Sequence, residues 1–190
     1  MGKSALILIT CLTCLLPVTL PADTESDKAT LLQNLATASN QSEGRMAESA
    51  MWEFWFNQAP TAEIRTSLDA GRERIKAYDY EAAENHLDSV VEKAPDYAEG
   101  YNQRAFARFL RENYSESLAD LERALELEPN HFGALSGMYH ILRIENRTAA
   151  AFGMLQRAVS IHPWIQERGA LPKHQWPESY RKIHEAGLEI

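Results

Sequence analysis

Apolar positions fall into distinct regimes along the chain. Residues 5–16 are a nearly unbroken apolar run, residues 64–165 show helical spacing of apolar places, and the flanks are mixed. Within 64–165 the pattern returns every 34 residues without insertion, as 64–97, 98–131 and 132–165. Gly71, Ala105 and Tyr139 share the eighth place, Ala83, Ser117 and Ala151 the twentieth, and Leu87, Leu121 and Leu155 the twenty-fourth. Val90, Ala124 and Ala158 share the twenty-seventh place, and Pro95, Pro129 and Pro163 the thirty-second. Small residues let two helices cross closely, leucines fill the space between pairs, and proline ends a helix because it lacks the N–H to continue it. Each unit therefore predicts a helix, a bend at 78–80, 112–114 or 145–147, and a second helix.

The flanks extend the pattern. In 43–58, Trp52, Trp55 and Phe56 occupy one face of a helix, expected to cover the open end of the first unit as an N-terminal cap. An exposed anchor for a partner or a membrane surface is one alternative, and a helix that occupies the binding face of the repeats in cis is another. Residues 23–44 read as a polar leader with a short helix through Leu31, Leu32 and Leu35, broken at 40–44. A last helix over 177–186 would turn Tyr180 and Ile183 towards the third unit, making 166–190 a C-terminal cap. The third unit diverges: Gly133 and Gly137 weaken its first helix by about 1 kcal/mol each relative to alanine. It is either relaxed because it is terminal or opened to admit something.

The period and its Ala, Leu and Pro columns resemble the tetratricopeptide repeat family over 64–165. The resemblance implies an all-α solenoid of three helix-turn-helix repeats that binds a protein or peptide in a concave groove lined by the first helices. Carried over place by place, groove residues are Arg65, Asp69, Arg72 and Lys76 from the first unit. The second unit gives Asn102, Gln103, Phe106, Phe109 and Leu110, and the third Ser136, His140 and Arg143. The Lys/Asn/Arg clamp by which some relatives grip chaperone C-termini is missing, since its places hold Leu68, Arg72, Gln103, Gly133 and Gly137.

Composition narrows the role. Residues 1–22, with Lys3, the apolar run, Pro17 and small residues to Ala22, read as a secretory signal peptide, which predicts a secreted or periplasmic protein without stable membrane insertion. Both cysteines, Cys11 and Cys14, lie in that run, so the exported chain would have neither disulfide nor thiol chemistry. A net charge of −8 with no basic stripe argues against nucleic acid. Six histidines form no HExxH or other zinc spacing, and no phosphate loop or nucleophile elbow is present, so no metal, cofactor or catalytic residue is expected. The carboxylates alternate with Arg and Lys as on solvated helix faces. The expectation is an interaction module; a cryptic enzyme built around His140, an accessory subunit, or a self-association surface are the alternatives.

Overall fold

Helices form where the periodicity places them, and local chemistry sets their ends. The computed structural model describes residues 22–185 and 187, and among them every regular element is helical. Two helices precede the repeats, α1 (Ala22–Thr37) and α2 (Gln41–Asn57). Three pairs follow: α3 (Ala62–Lys76) with α4 (Tyr80–Lys93), α5 (Ala98–Leu110) with α6 (Tyr114–Leu127), and α7 (Phe132–Ile144) with α8 (Thr148–Ile161). Two 3-10 turns, Gln166–Ala170 and Lys173–Gln175, lead to α9 (Glu178–Glu185). The signal peptide expected over 1–22, with its cysteines, lies outside the described residues apart from Ala22.

The first helix of every pair stops in the same way. Tyr78, Glu112 and Asn146 adopt left-handed φ values of 61, 63 and 60°. The next amide then reaches back to a carbonyl five residues earlier: Asp79 to Arg74 at 3.0 Å, Asn113 to Arg108 at 2.9 Å and Arg147 to Leu142 at 2.8 Å. That closure satisfies carbonyls the helix end leaves open and reverses the chain. Second helices are capped one residue before the prolines, at Ala94, Glu128 and His162.

The repeated columns make the core. Ala83, Leu87, Val90, Ala124, Ala151, Leu155 and Ala158 are fully buried. Gly71 lies so near α4 that an added Cβ would be 2.7 Å from Leu87 Cγ, so this place admits no side chain without a shift. Helices α3, α5 and α7 pack beside one another and form the inside of the curve, with α4, α6 and α8 outside. An ion network ties the first two pairs together: Arg104 holds Asp120 through two bonds of 2.9 and 2.6 Å and Asp88 at 2.8 Å, while Arg108 holds Glu84 and Asp120, each at 2.8 Å. Asp120 is thus buried rather than on a solvated face; its partner, Arg104, lies on the neighbouring helix, beyond the reach of a same-helix spacing argument. Glu122 and Glu126 are exposed.

The N-terminal flank departs from expectation, while the C-terminal one forms the helix expected there. The polar leader is a helix of 16 residues whose Leu35 is fully buried in the main core. Asn40, read as the start of a break, is instead an N-cap: its side chain accepts from the Glu43 amide at 3.0 Å, and the Glu43 carboxylate accepts from the Ser39 amide at 2.8 Å. Gly44, read as a breaker, is a contact point, since a Cβ there would come within 2.5 Å of Trp164 Cβ. The α2 aromatics do not close the end of the first unit; they run across the inside of all three pairs. At the C-terminal end, Tyr180 and Ile183 of α9 are buried, and Ile183 meets Ala38 and Trp164. Among the described residues no helix is long and apolar enough to cross a membrane.

Candidate interaction surface

The face made by α3, α5 and α7 has two unlike edges. One carries the loops between units, residues 94–97, 128–131 and 162–165; the other carries the left-handed turns. On the loop edge α2 lies across the first helices. Its Asn57 accepts from Arg65 at 2.8 Å, and the Arg72 guanidinium sits 3.9 Å from the Phe56 ring centroid. The Tyr97 hydroxyl donates to the Trp55 and Phe56 carbonyls at 3.1 and 3.2 Å. Trp55 stacks on His131 with centroids 4.0 Å apart and planes 8° from parallel. Trp52 lies over Gly133, where an added Cβ would be 2.3 Å from its ring, so the glycine the third unit carries there is what admits the indole.

Further along, the Glu48 carboxylate is 3.5 Å from His162 Nε2, and that histidine holds Glu48 below the usual carboxylate range. The Trp164 indole N–H donates to the Ala38 carbonyl at 2.8 Å, and Lys28 of α1 pairs with Glu128 at 3.1 Å. All three inter-unit loops therefore grip the α1–α2 hairpin. Beneath it Glu99 is buried and accepts from Gln103 at 2.6 Å, from Asn102 at 3.3 Å and from His131 Nε2 at 2.8 Å. The other His131 nitrogen accepts the Ala134 amide at 3.2 Å, which puts the ring proton on Nε2. Burial pushes the Tyr97 hydroxyl far above its ordinary pKa, so it stays a donor at any working pH.

The turn edge is open. Phe106 is 47% exposed and Ile144 48%, both large apolar side chains on the inside face. Leu110, one turn beyond Phe106, is half-buried, as is Phe109, whose ring meets Tyr114 at 5.8 Å. Lys76 is exposed and pairs with Glu73 at 2.6 Å. Arg143 is exposed, its guanidinium 5.5 Å from the Phe152 ring. Ser136 and His140 both bond Glu167 at 2.9 Å, and the His140 bond holds that carboxylate below its usual range.

The groove residues read from the sequence therefore divide. Arg65, Asp69, Arg72, Asn102 and Gln103 are engaged by α2, by one another or by Glu99, as with Asp69 between Arg65 at 2.9 Å and Arg72 at 3.3 Å. Ser136 and His140 are taken by Glu167. Lys76, Phe106, Phe109, Leu110 and Arg143 remain on the open edge. Sequence reasoning missed Ile144 and the loop residues Tyr97, His131, His162 and Trp164. Their signal was available: a bare loop next to a proline would be polar, yet these last places carry rings. Among the described residues no three His, Cys, Asp or Glu side chains are arranged to hold a metal. A cleft of about 460 Å³ opens between α1, the end of α2 and the first inter-unit loop, but its lysines are already paired, Lys28 with Glu128 and Lys93 with Glu63 at 2.6 Å.

Stacked helical pairs with a shaped inside face define a helical-repeat scaffold. Residues 98–131 match the tetratricopeptide repeat model, and the stacked pairs on either side resemble it in period and fold. It is 35% identical over 108 residues to a TPR repeat-containing protein of Rhizobium etli, covering 57% of this chain and 53% of that one. It is 44% identical over 57 residues to the SGT1 homolog of Bos taurus, which is 30% of this chain and 17% of that one. The chain thus spans about half the length, or less, of these curated relatives. Among solved structures it resembles the TPR2B domain of yeast Sti1 in its pHsp70 complex, with a TM-score of 0.55 and 21% identity over 66% of this chain and 99% of that one. The TPR2AB domain of yeast Sti1 in its pHSP90 complex gives 0.53 and 20% identity, covering 85% and 64%.

Proposed function

We propose that the chain is an exported interaction module whose inside face takes a protein or peptide partner, by way of a leader over 1–22. The observation that carries this reading is the open edge: Phe106 and Ile144 are exposed on the face where the repeat resemblance puts a ligand, whereas the column residues Leu87, Leu121 and Leu155 are buried. Large apolar side chains grouped on one face suit a docking surface. The Sti1 domains lend support as scaffolds of this fold in complex with pHsp70 and pHSP90, although the missing clamp points away from a chaperone partner. The enzyme alternative is weakened because His140, its centre, is half exposed and bonded only to a carboxylate and a neighbouring ring. A photo-crosslinker placed at Phe106 should capture a discrete partner from the host's exported fraction, and one placed at Met46 on the outer side of α2 should not. Equal capture at both sites, or none at Phe106, would sink the proposal.

A further inference from the structure

The inside face is only half available, and the half that remains has a chemistry of its own. A first helix such as α5, with 13 residues, is about 20 Å long at 1.5 Å per residue. Helix α2, roughly 10 Å across, lies over the loop-edge end of that length. About 10 Å is left, which suits one extended segment, since neighbouring strands need only about 5 Å. What lines the remaining strip is Phe106 and Leu110 one turn apart on α5, then Ile144 at the same place of the third unit as Leu110 in the second. Beside Ile144 stands Arg143, exposed and with no carboxylate partner among the described residues, in contrast to Arg65, Arg72, Arg104 and Arg108, all of which are ion-paired.

Resting on the reading of this face as a docking surface, we propose that the partner is an extended segment carrying a bulky apolar side chain next to a carboxylate. The apolar side chain enters between Phe106, Leu110 and Ile144, and the carboxylate pairs with Arg143, whose planar guanidinium can grip both its oxygens. Charge argues the same way. The chain carries −8 overall, so an acidic segment is repelled by most of the surface and held where a guanidinium stands uncompensated beside an apolar strip. The acids nearest the strip in sequence are Glu73, paired with Lys76, Glu145, paired with Arg147 at 3.0 Å, and Glu112, at the left-handed turn beyond α5. Because Glu99 and Asn102 are buried and Gln103 is bonded to Glu99, the backbone of the segment gains little from them, and recognition rests on the side chains of the strip.

The test is selection of a displayed random heptapeptide library on the full chain and on two variants, Arg143→Glu and Phe106→Ser. Both sites are exposed, so circular dichroism and melting should match the parent. The parent should enrich sequences with Leu, Met or Phe adjacent to Asp or Glu. Arg143→Glu should exchange the acid for Lys or Arg and weaken the parent's best peptide at least tenfold, and Phe106→Ser should abolish enrichment. Recovery of the same acidic sequences by Arg143→Glu, with binding still lost in Phe106→Ser, would overturn the carboxylate and leave the docking face standing. Selected peptides indifferent to both substitutions would overturn the docking face as well.

Discussion

The two edges of the inside face belong to the same three repeats, yet one is sealed and the other is open. On the loop edge Trp55, Met51 and Leu35 are buried to 3% exposure or less, whereas on the turn edge Phe106 is 47% exposed. The difference does not come from a shortage of apolar residues at the open edge: α5 carries Ala98 and Tyr101 towards the loops but Ala105, Phe106, Ala107, Phe109 and Leu110 towards the turns. It comes from a hairpin outside the repeats that covers one edge and falls short of the other. Filling a groove in cis therefore need not silence it; it can leave a narrower strip with a different ligand chemistry.

The sharpest way to break this contrast is truncation on each edge. Trp55→Ala removes a ring packed on His131 and Phe132 and should cost ~3–5 kcal/mol in urea denaturation, while Phe106→Ala should cost under ~1 kcal/mol. Near equality would mean that the hairpin contributes little to stability. A second contrast uses glycine. Gly133→Ala drives a Cβ into Trp52 and should lose ~1–3 kcal/mol despite better helix propensity. Gly153→Ala, with nothing within 4 Å of the new carbon, should gain ~1 kcal/mol, so thermal melting should move in opposite directions for the two.

How much of this was readable beforehand follows from what the period encodes. The columns Ala83, Leu87, Pro95 and their equivalents encode contacts within and between adjacent units, so the pairs, their bends and the face made by α3, α5 and α7 could all be read. The hairpin makes contacts of another kind. Trp52 meets Gly133, and Lys28 meets Glu128, across long separations that no local spacing records. Gly133 by itself reads as a weak place in a helix or as an opening that admits something. Its meaning, a socket for an indole, needed the distant residue to be known. The groove residues were identified by place, but place alone cannot tell that Asn102 and Gln103 face a buried Glu99 instead of solvent.

Two smaller measurements refine the same contrast. Tyr97→Phe deletes the hydroxyl that donates to two α2 carbonyls and should cost ~1 kcal/mol, with no change in binding at the turn edge. Acid should act on both flanks. Glu48 and Glu167 have folded-state pKa values below the ordinary 4.5, so their contribution is complete above that value and is lost as the pH falls through the depressed ones. Glu48→Gln and Glu167→Gln should each flatten the decline in stability below pH ~4.5, read by melting across pH; an unchanged acid slope would dissociate both carboxylates from the docking of the flanks.

Repeat arrays ordinarily unravel one unit at a time, because each unit touches only its neighbours. Helix α2 abolishes that independence: through Phe56, Trp55 and Trp52 it makes contact with residues of the first, second and third units alike. The chain is held as one cooperative block, so its end units do not fray separately and partial melting has no foothold. A single cut in the 38–40 turn, without loss of any residue, would loosen that clasp and let one sharp transition broaden into several.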